Sequence, residues 1–131
     1  MAGAPERFSW EKRGKSFVYA FQGLGYFFRT QHNGWIHAGF TIGVLALGWF
    51  FDLSTAEWLW IVFCIGFVFS AELMNTAIEA VVDLVSPDYH ELAGKAKDVG
   101  AAAVLVAAIT SAIIGLIIFV PKVLSFGGVD F

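Results

Sequence analysis

Charge is scarce in this chain. Only 15% of its 131 residues are Asp, Glu, Lys or Arg, and 58% are hydrophobic, whereas soluble domains carry about a quarter charged residues. A water-soluble globule is therefore excluded, and the length suits one domain over 1–131, all-α and embedded in a membrane. Cysteine is nearly absent as well: Cys64 stands alone between Phe63 and Ile65, which rules out an internal disulfide and reads as small apolar filler. No GxxxxGK[ST] loop occurs, so a bound nucleotide has to be held by something other than a P-loop. No secretory signal peptide is expected, because the first thirty residues are too polar and no small-residue cleavage site follows a short apolar core.

What is present is long uncharged runs. Residues 34–51 contain no formally charged side chain, long enough to cross a bilayer. Asp52, Leu53, Ser54 and Thr55 read as a short turn in which Ser54 or Thr55 caps the next helix. A second run is uncharged from Trp58 to Ala71 and keeps a helical pattern to Val85, where Ser86, Pro87 and Asp88 stop it. A third, 99–120, carries no charge and ends against Pro121. The spacing thus predicts spans over about 34–51, 57–85 and 96–120. Arg7, Lys12, Arg13, Lys15 and Arg29 precede the first span, the turn has no basic residue, and Lys95 and Lys97 lie in the 86–98 loop. The positive-inside rule then puts the N-terminus and that loop in the cytoplasm. Lys122, near the outward end, runs against this bias.

The N-terminal segment, about 7–30, differs. Trp10, Phe17, Phe21, Leu24 and Phe28 fall within about 60° at 100° per residue, with Lys12, Lys15, Tyr19, Gln22 and Tyr26 roughly opposite. That pattern predicts an amphipathic helix in the cytoplasmic headgroup layer. On the third span Ala103, Ala107, Ser111 and Gly115 recur every fourth residue. Such a stripe lets helices approach closely in lipid and points to a homo-oligomer, although it also serves packing within one subunit.

Acids then appear where hydrocarbon is expected. In "AELMNTAIEAVVD", residues 71–83, Glu72, Asn75, Glu79 and Asp83 share one helix face. Glu72 lies about 21 Å along the helix from Trp58, still inside a hydrocarbon layer about 30 Å thick, and Glu79 lies about 10 Å further toward the cytoplasm. The plain alternative is interhelical hydrogen bonding for Glu72 and Asn75 and simple solvation for Glu79 and Asp83. Intramembrane acids are rarely kept for packing, so Glu72 is assigned to function and Asp83 to solvent. Glu79 with Asn75 resembles half of a Mg²⁺ site. Lys97 and Asp98 open the third span from the cytoplasmic side, where a lysine and a helix N-terminus favour phosphate. A proton acceptor at lipid depth, a metal and phosphate region at the interface and a cytosolic mouth suit phosphoryl transfer to a hydroxyl whose body stays in the bilayer. The alternative is a small ion or proton pathway. Against it, the third span has no ionisable residue over 99–120, and outward of Glu72 the second offers no acid before Glu57. A purely structural bundle leaves the depth of Glu72 unexplained.

The stretch "AELMNTAIEAVVDLVSPDYHELAGKAKDVGAAAVL", residues 71–105, resembles the signature of the bacterial integral-membrane diacylglycerol kinase and undecaprenol kinase family. ExxNTAIExxVD is followed by the YHELAGKAKD loop and a small-residue helix, and the likeness extends over most of the chain. The resemblance implies an ATP-dependent lipid kinase, a homotrimer with sites between subunits, in the bacterial inner (cytoplasmic) membrane. Nucleic acid is not an expected partner. On that resemblance Glu72 is the general base and Asn75 orders the site. Glu79 binds the Mg²⁺ that bridges the ATP phosphates, Lys97 contacts the phosphates, and Asp98, Tyr89 and Tyr19 surround the nucleotide. Asp83 and His90 also fall on pattern positions. One departure stands out: Gln31, in "RTQHNGWIH", occupies the place of a family glutamate that joins Glu79 on the metal. Its amide oxygen can coordinate but brings no charge. "QHNGWIH" is more like the undecaprenol-kinase side, while no residue decides between undecaprenol and diacylglycerol.

Overall fold

The structure, a computed structural model, describes residues 9–128, so Arg7, Phe8 and the last three residues lie outside the described part. Those residues form four helices: α1 Trp10–Thr30, α2 His32–Phe50, α3 Thr55–Val85 and α4 Glu91–Phe126. Ser9 caps α1 by accepting from the Lys12 amide. A single extended residue, Gln31, separates α1 from α2. The corner is tight: a Cβ at Gly34 would sit 2.7 Å from the Phe27 ring, and the Trp35 indole N–H donates to the Phe28 carbonyl at 2.9 Å.

The turn between α2 and α3 has Asp52 at φ 49°, a left-handed conformation that a short polar side chain tolerates better than most. Ser54 then starts α3 with a reciprocal capping box, its backbone N–H donating to Glu57 Oε2 at 2.7 Å and its hydroxyl accepting from the Glu57 amide. At the other end of the molecule His90 caps α4, with Nδ1 accepting from the Leu92 amide.

α3 and α4 form an antiparallel hairpin, and four contacts mark its register. Glu57 pairs with Lys122 at 3.0 Å, the Ser111 hydroxyl donates to the Cys64 carbonyl, Asn75 meets Gly100, and Asp83 pairs with Lys97 at 2.5 Å. Leu53, Ile61 and Ile118 form a buried apolar cluster in the half of the hairpin nearer the α2–α3 turn, with Val44, Trp58, Ile65, Ile114 and Phe119 packed against it.

One expectation changes, and three others gain detail. The third run does not end at Pro121: α4 continues to Phe126. Proline removes one helical N–H, yet contacts on both sides hold the helix: Ile118 and Phe119 before it, the Lys122–Glu57 pair and Phe126 against Phe50 and Phe51 after it. The same pair gives Lys122 an acidic partner within the chain. The small-residue stripe is partly used within the chain, since Ala107 is buried and Ser111 bonds across to α3. Finally, among the described residues two helices, α3 and α4, are long and apolar enough to cross a membrane. The nineteen residues of α2 include His32, Asn33, His37 and four glycines, which dilute its apolar character.

Candidate functional site

Among the described residues the buried polar side chains are Glu72, Asn75 and Thr76, all on adjacent turns of α3. The Thr76 hydroxyl donates to the Glu72 carbonyl at 2.9 Å, one turn back along its own helix, so it needs nothing from elsewhere. Glu72, only 2% exposed, depends on another helix. His37 of α2 places Nε2 at 2.9 Å from Glu72 Oε1. The imidazole lies beside the Phe69 ring at 6.4 Å, and Phe69 in turn packs against Phe27 and Phe28 of α1. The buried carboxyl thus has a polar partner whose own ring is flanked by an aromatic side chain.

One and two turns further toward the loop, three residues meet. Glu79 accepts from Gln31 Nε2 at 3.0 Å through Oε2 and from Asn75 Nδ2 at 3.1 Å through Oε1. Gln31 can reach because it is the corner residue between α1 and α2. Asn75 Oδ1, by contrast, is buried without a hydrogen-bond partner, an arrangement that costs about 1–3 kcal/mol. It faces Gly100 of α4 so closely that a Cβ there would collide with it. The glycine hydrogen in that direction supplies only a weak C–H···O contact.

The donor set around Glu79 fits Mg²⁺ in kind. Each carboxamide carries an oxygen on its other arm, so turning the amides would offer carbonyl oxygens beside the carboxylate, and would give Asn75 Oδ1 a use. Mg²⁺ takes few protein ligands and relies on phosphate oxygens and water for the rest. Among the described residues no cluster of three or more His, Cys, Asp or Glu side chains could hold a metal, so the carboxamides matter here.

The remaining expected site residues are less gathered. Lys97 is paired with Asp83 rather than free for phosphate, and Asp83 is therefore more than a solvated end. His90 spends Nδ1 on the α4 cap. Tyr19 and Tyr89 are exposed, as is Asp98, and within this chain no hydrogen bond joins them to Glu72 or Glu79. Two residues were not singled out from sequence. His37 was read only as part of an uncharged run, although an imidazole inside a span needs a polar partner and signals one. Gly100 has no sequence signal beyond its place on a small-residue helix.

The model of the prokaryotic diacylglycerol kinase family matches residues 18–119, which include every site residue above. Similar proteins are an undecaprenol kinase of Bacillus subtilis (strain 168), 49% identical over 108 residues, 82% of this chain and 88% of that protein. A diacylglycerol kinase of Synechocystis sp. (strain ATCC 27184 / PCC 6803 / Kazusa) is 41% identical over 84% of this chain and 63% of its own length. A diacylglycerol kinase of Escherichia coli (strain K12) is 34% identical over 74% of this chain and 85% of its own.

Proposed function

Because the chain belongs to the prokaryotic diacylglycerol kinase family, we propose that it moves the γ-phosphoryl group of ATP onto the hydroxyl of a membrane lipid alcohol. It is a lipid kinase, and undecaprenol is the acceptor we favour, in keeping with the Bacillus relative and the "QHNGWIH" stretch. Family membership lends the ion-pathway reading no support.

The observation that carries the mechanism is Glu72, 2% exposed in the apolar body of α3, on the same helix face as the Glu79 cluster. In this reading Glu72 takes the proton of the lipid hydroxyl as its oxygen bonds to the γ-phosphorus and the bond to the β–γ bridging oxygen breaks, releasing ADP. Asn75, on the turn after Glu72, hydrogen-bonds Glu79. Glu79, with Gln31 and Asn75 turned to present their oxygens, would hold Mg²⁺. The ion, when bound, neutralises phosphate charge. Lys97, released from Asp83, would balance further phosphate charge. An apolar groove of about 660 Å³ between α1 and α3 is floored by Leu73, Thr76, Ala77 and Ala80, on the turns that follow Glu72, and suits an acyl or isoprenyl chain.

The exposed Tyr19, Tyr89 and Asp98 approach nucleotide in a homotrimer whose sites lie between subunits, with His90 beside them. In that assembly α2, α3 and α4 are the three spans and α1 lies on the inner-membrane surface. The N-terminus and the loop before α4 are cytoplasmic.

Labelled ATP with Mg²⁺ in mixed micelles, offered undecaprenol and diacylglycerol in parallel, tests this. Labelled undecaprenol well above diacylglycerol is expected. The reverse ratio would reassign the acceptor, and no transfer to either from an oligomeric preparation would overturn the reaction.

A further inference from the structure

His37 has no role in the reaction as derived so far, yet it makes the one side-chain hydrogen bond that Glu72 has among the described residues. We propose that His37 is the positioning residue for Glu72: its Nε2–H holds Oε1, and Oε2 is left to face the acceptor hydroxyl. The proposal rests on the reading of Glu72 as the base.

Three observations support it. The Glu72 side chain is 3% exposed and that of His37 22%, so the bond is shielded from competing water and gains strength in a low dielectric. An ionised carboxylate only accepts hydrogen bonds, so a Glu72 ready to take a proton needs the facing ring nitrogen to be the protonated one. The neutral tautomer with hydrogen on Nε2 meets that need and leaves Nδ1 as an acceptor. Finally, Phe69 flanks the ring, with Phe27 and Phe28 behind it, which restricts where the imidazole can swing. A glutamate has three side-chain torsions, and without this tether its carboxyl would sample orientations in which neither oxygen meets the acceptor.

The bond also joins helices. His37 is on α2 and Glu72 on α3, and Gln31 bonds Glu79 from the same N-terminal end of α2. The start of α2 thereby touches both carboxylates of the site, His37 toward the deeper one and Gln31 toward the interfacial one.

The test compares His37→Leu, His37→Gln and Glu72→Gln in the intact oligomer, measuring kcat and KM for ATP and for lipid, with ¹⁵N spectra of the His37 ring. His37→Leu should lower kcat by between about ten- and a hundredfold, the scale of a small misplacement of a reacting group, with KM for ATP within about twofold because the nucleotide end is untouched. His37→Gln, whose carboxamide N–H can reach the same oxygen, should recover most of that loss. The wild-type spectrum should show hydrogen on Nε2, and its signal should shift in Glu72→Gln. If neither His37 variant assembles, the spectra alone decide: a signal indifferent to Glu72→Gln overturns the tether. An inactive Glu72→Gln beside an unchanged kcat in His37→Leu overturns the positioning role while leaving Glu72 as base. Full activity in Glu72→Gln removes the base and the tether together.

Discussion

The two halves of the α3–α4 hairpin are built on opposite terms. The half nearer the α2–α3 turn is closed: an apolar cluster around Ile61, a reciprocal cap at Ser54 and the Glu57–Lys122 pair leave little unsatisfied. The half nearer the α3–α4 loop buries Glu72, Asn75 and Thr76 on the helix that also buries Val68 and Val82, with one amide oxygen unpartnered. Helices of the same hairpin thus hold shape at one end and keep polar groups in reserve at the other. Where a structure tolerates unmet polar groups, it has room to receive a charged ligand.

That contrast can be broken by mutation. Glu72→Gln should lower turnover by about a thousandfold or more, the scale of removing a group that acts with the transition state, while leaving thermal stability and oligomer size as they are. Ile61→Ala should do the reverse, costing about 3 kcal/mol of stability through a cavity with kcat per folded protein retained; denaturation in mixed micelles alongside the labelling assay separates the two. Gly100→Ala puts a methyl group against Asn75 Oδ1, and should cost about 2 kcal/mol through overpacking and activity as well, joining the two readouts at one residue. Gln31→Glu adds a second carboxylate beside Glu79 and should lower the Mg²⁺ concentration for half-maximal rate by about fivefold, close to 1 kcal/mol. Lys122→Gln should matter least, with only a small loss of stability from a partly exposed pair and no change in transfer.

Helix period made much of this legible in advance. Glu72, Asn75 and Glu79 share a face because three- and four-residue spacing requires it, and the burial of Glu72 follows from the apolar residues before it. The turn at Asp52 and Ser54 announced itself through side chains that cap locally. What could not be read was partnership across the fold. His37 and Glu72 are separated by 35 positions and Gln31 and Glu79 by 48, so no local rule connects them. The Lys97–Asp83 pair escaped because each residue looked sufficient alone, a cation for phosphate and an acid for water. Pro121 looked like a stop because its local rule is strong, and only the tertiary contacts around it carry α4 onward. Ala107 and Ser111 suit packing against another subunit or within this one, because sequence does not say which neighbour a small residue serves.

Gln31 is both the one extended residue between α1 and α2 and a donor to Glu79. Two backbone torsions at this joint set the tilt of α1, whose 21 residues make a lever about 31 Å long. A rotation of about ten degrees there would carry Trp10 by about 5 Å. The Gln31–Glu79 bond therefore steadies the fulcrum of that lever, together with Phe27 and Phe28 packed on Phe69.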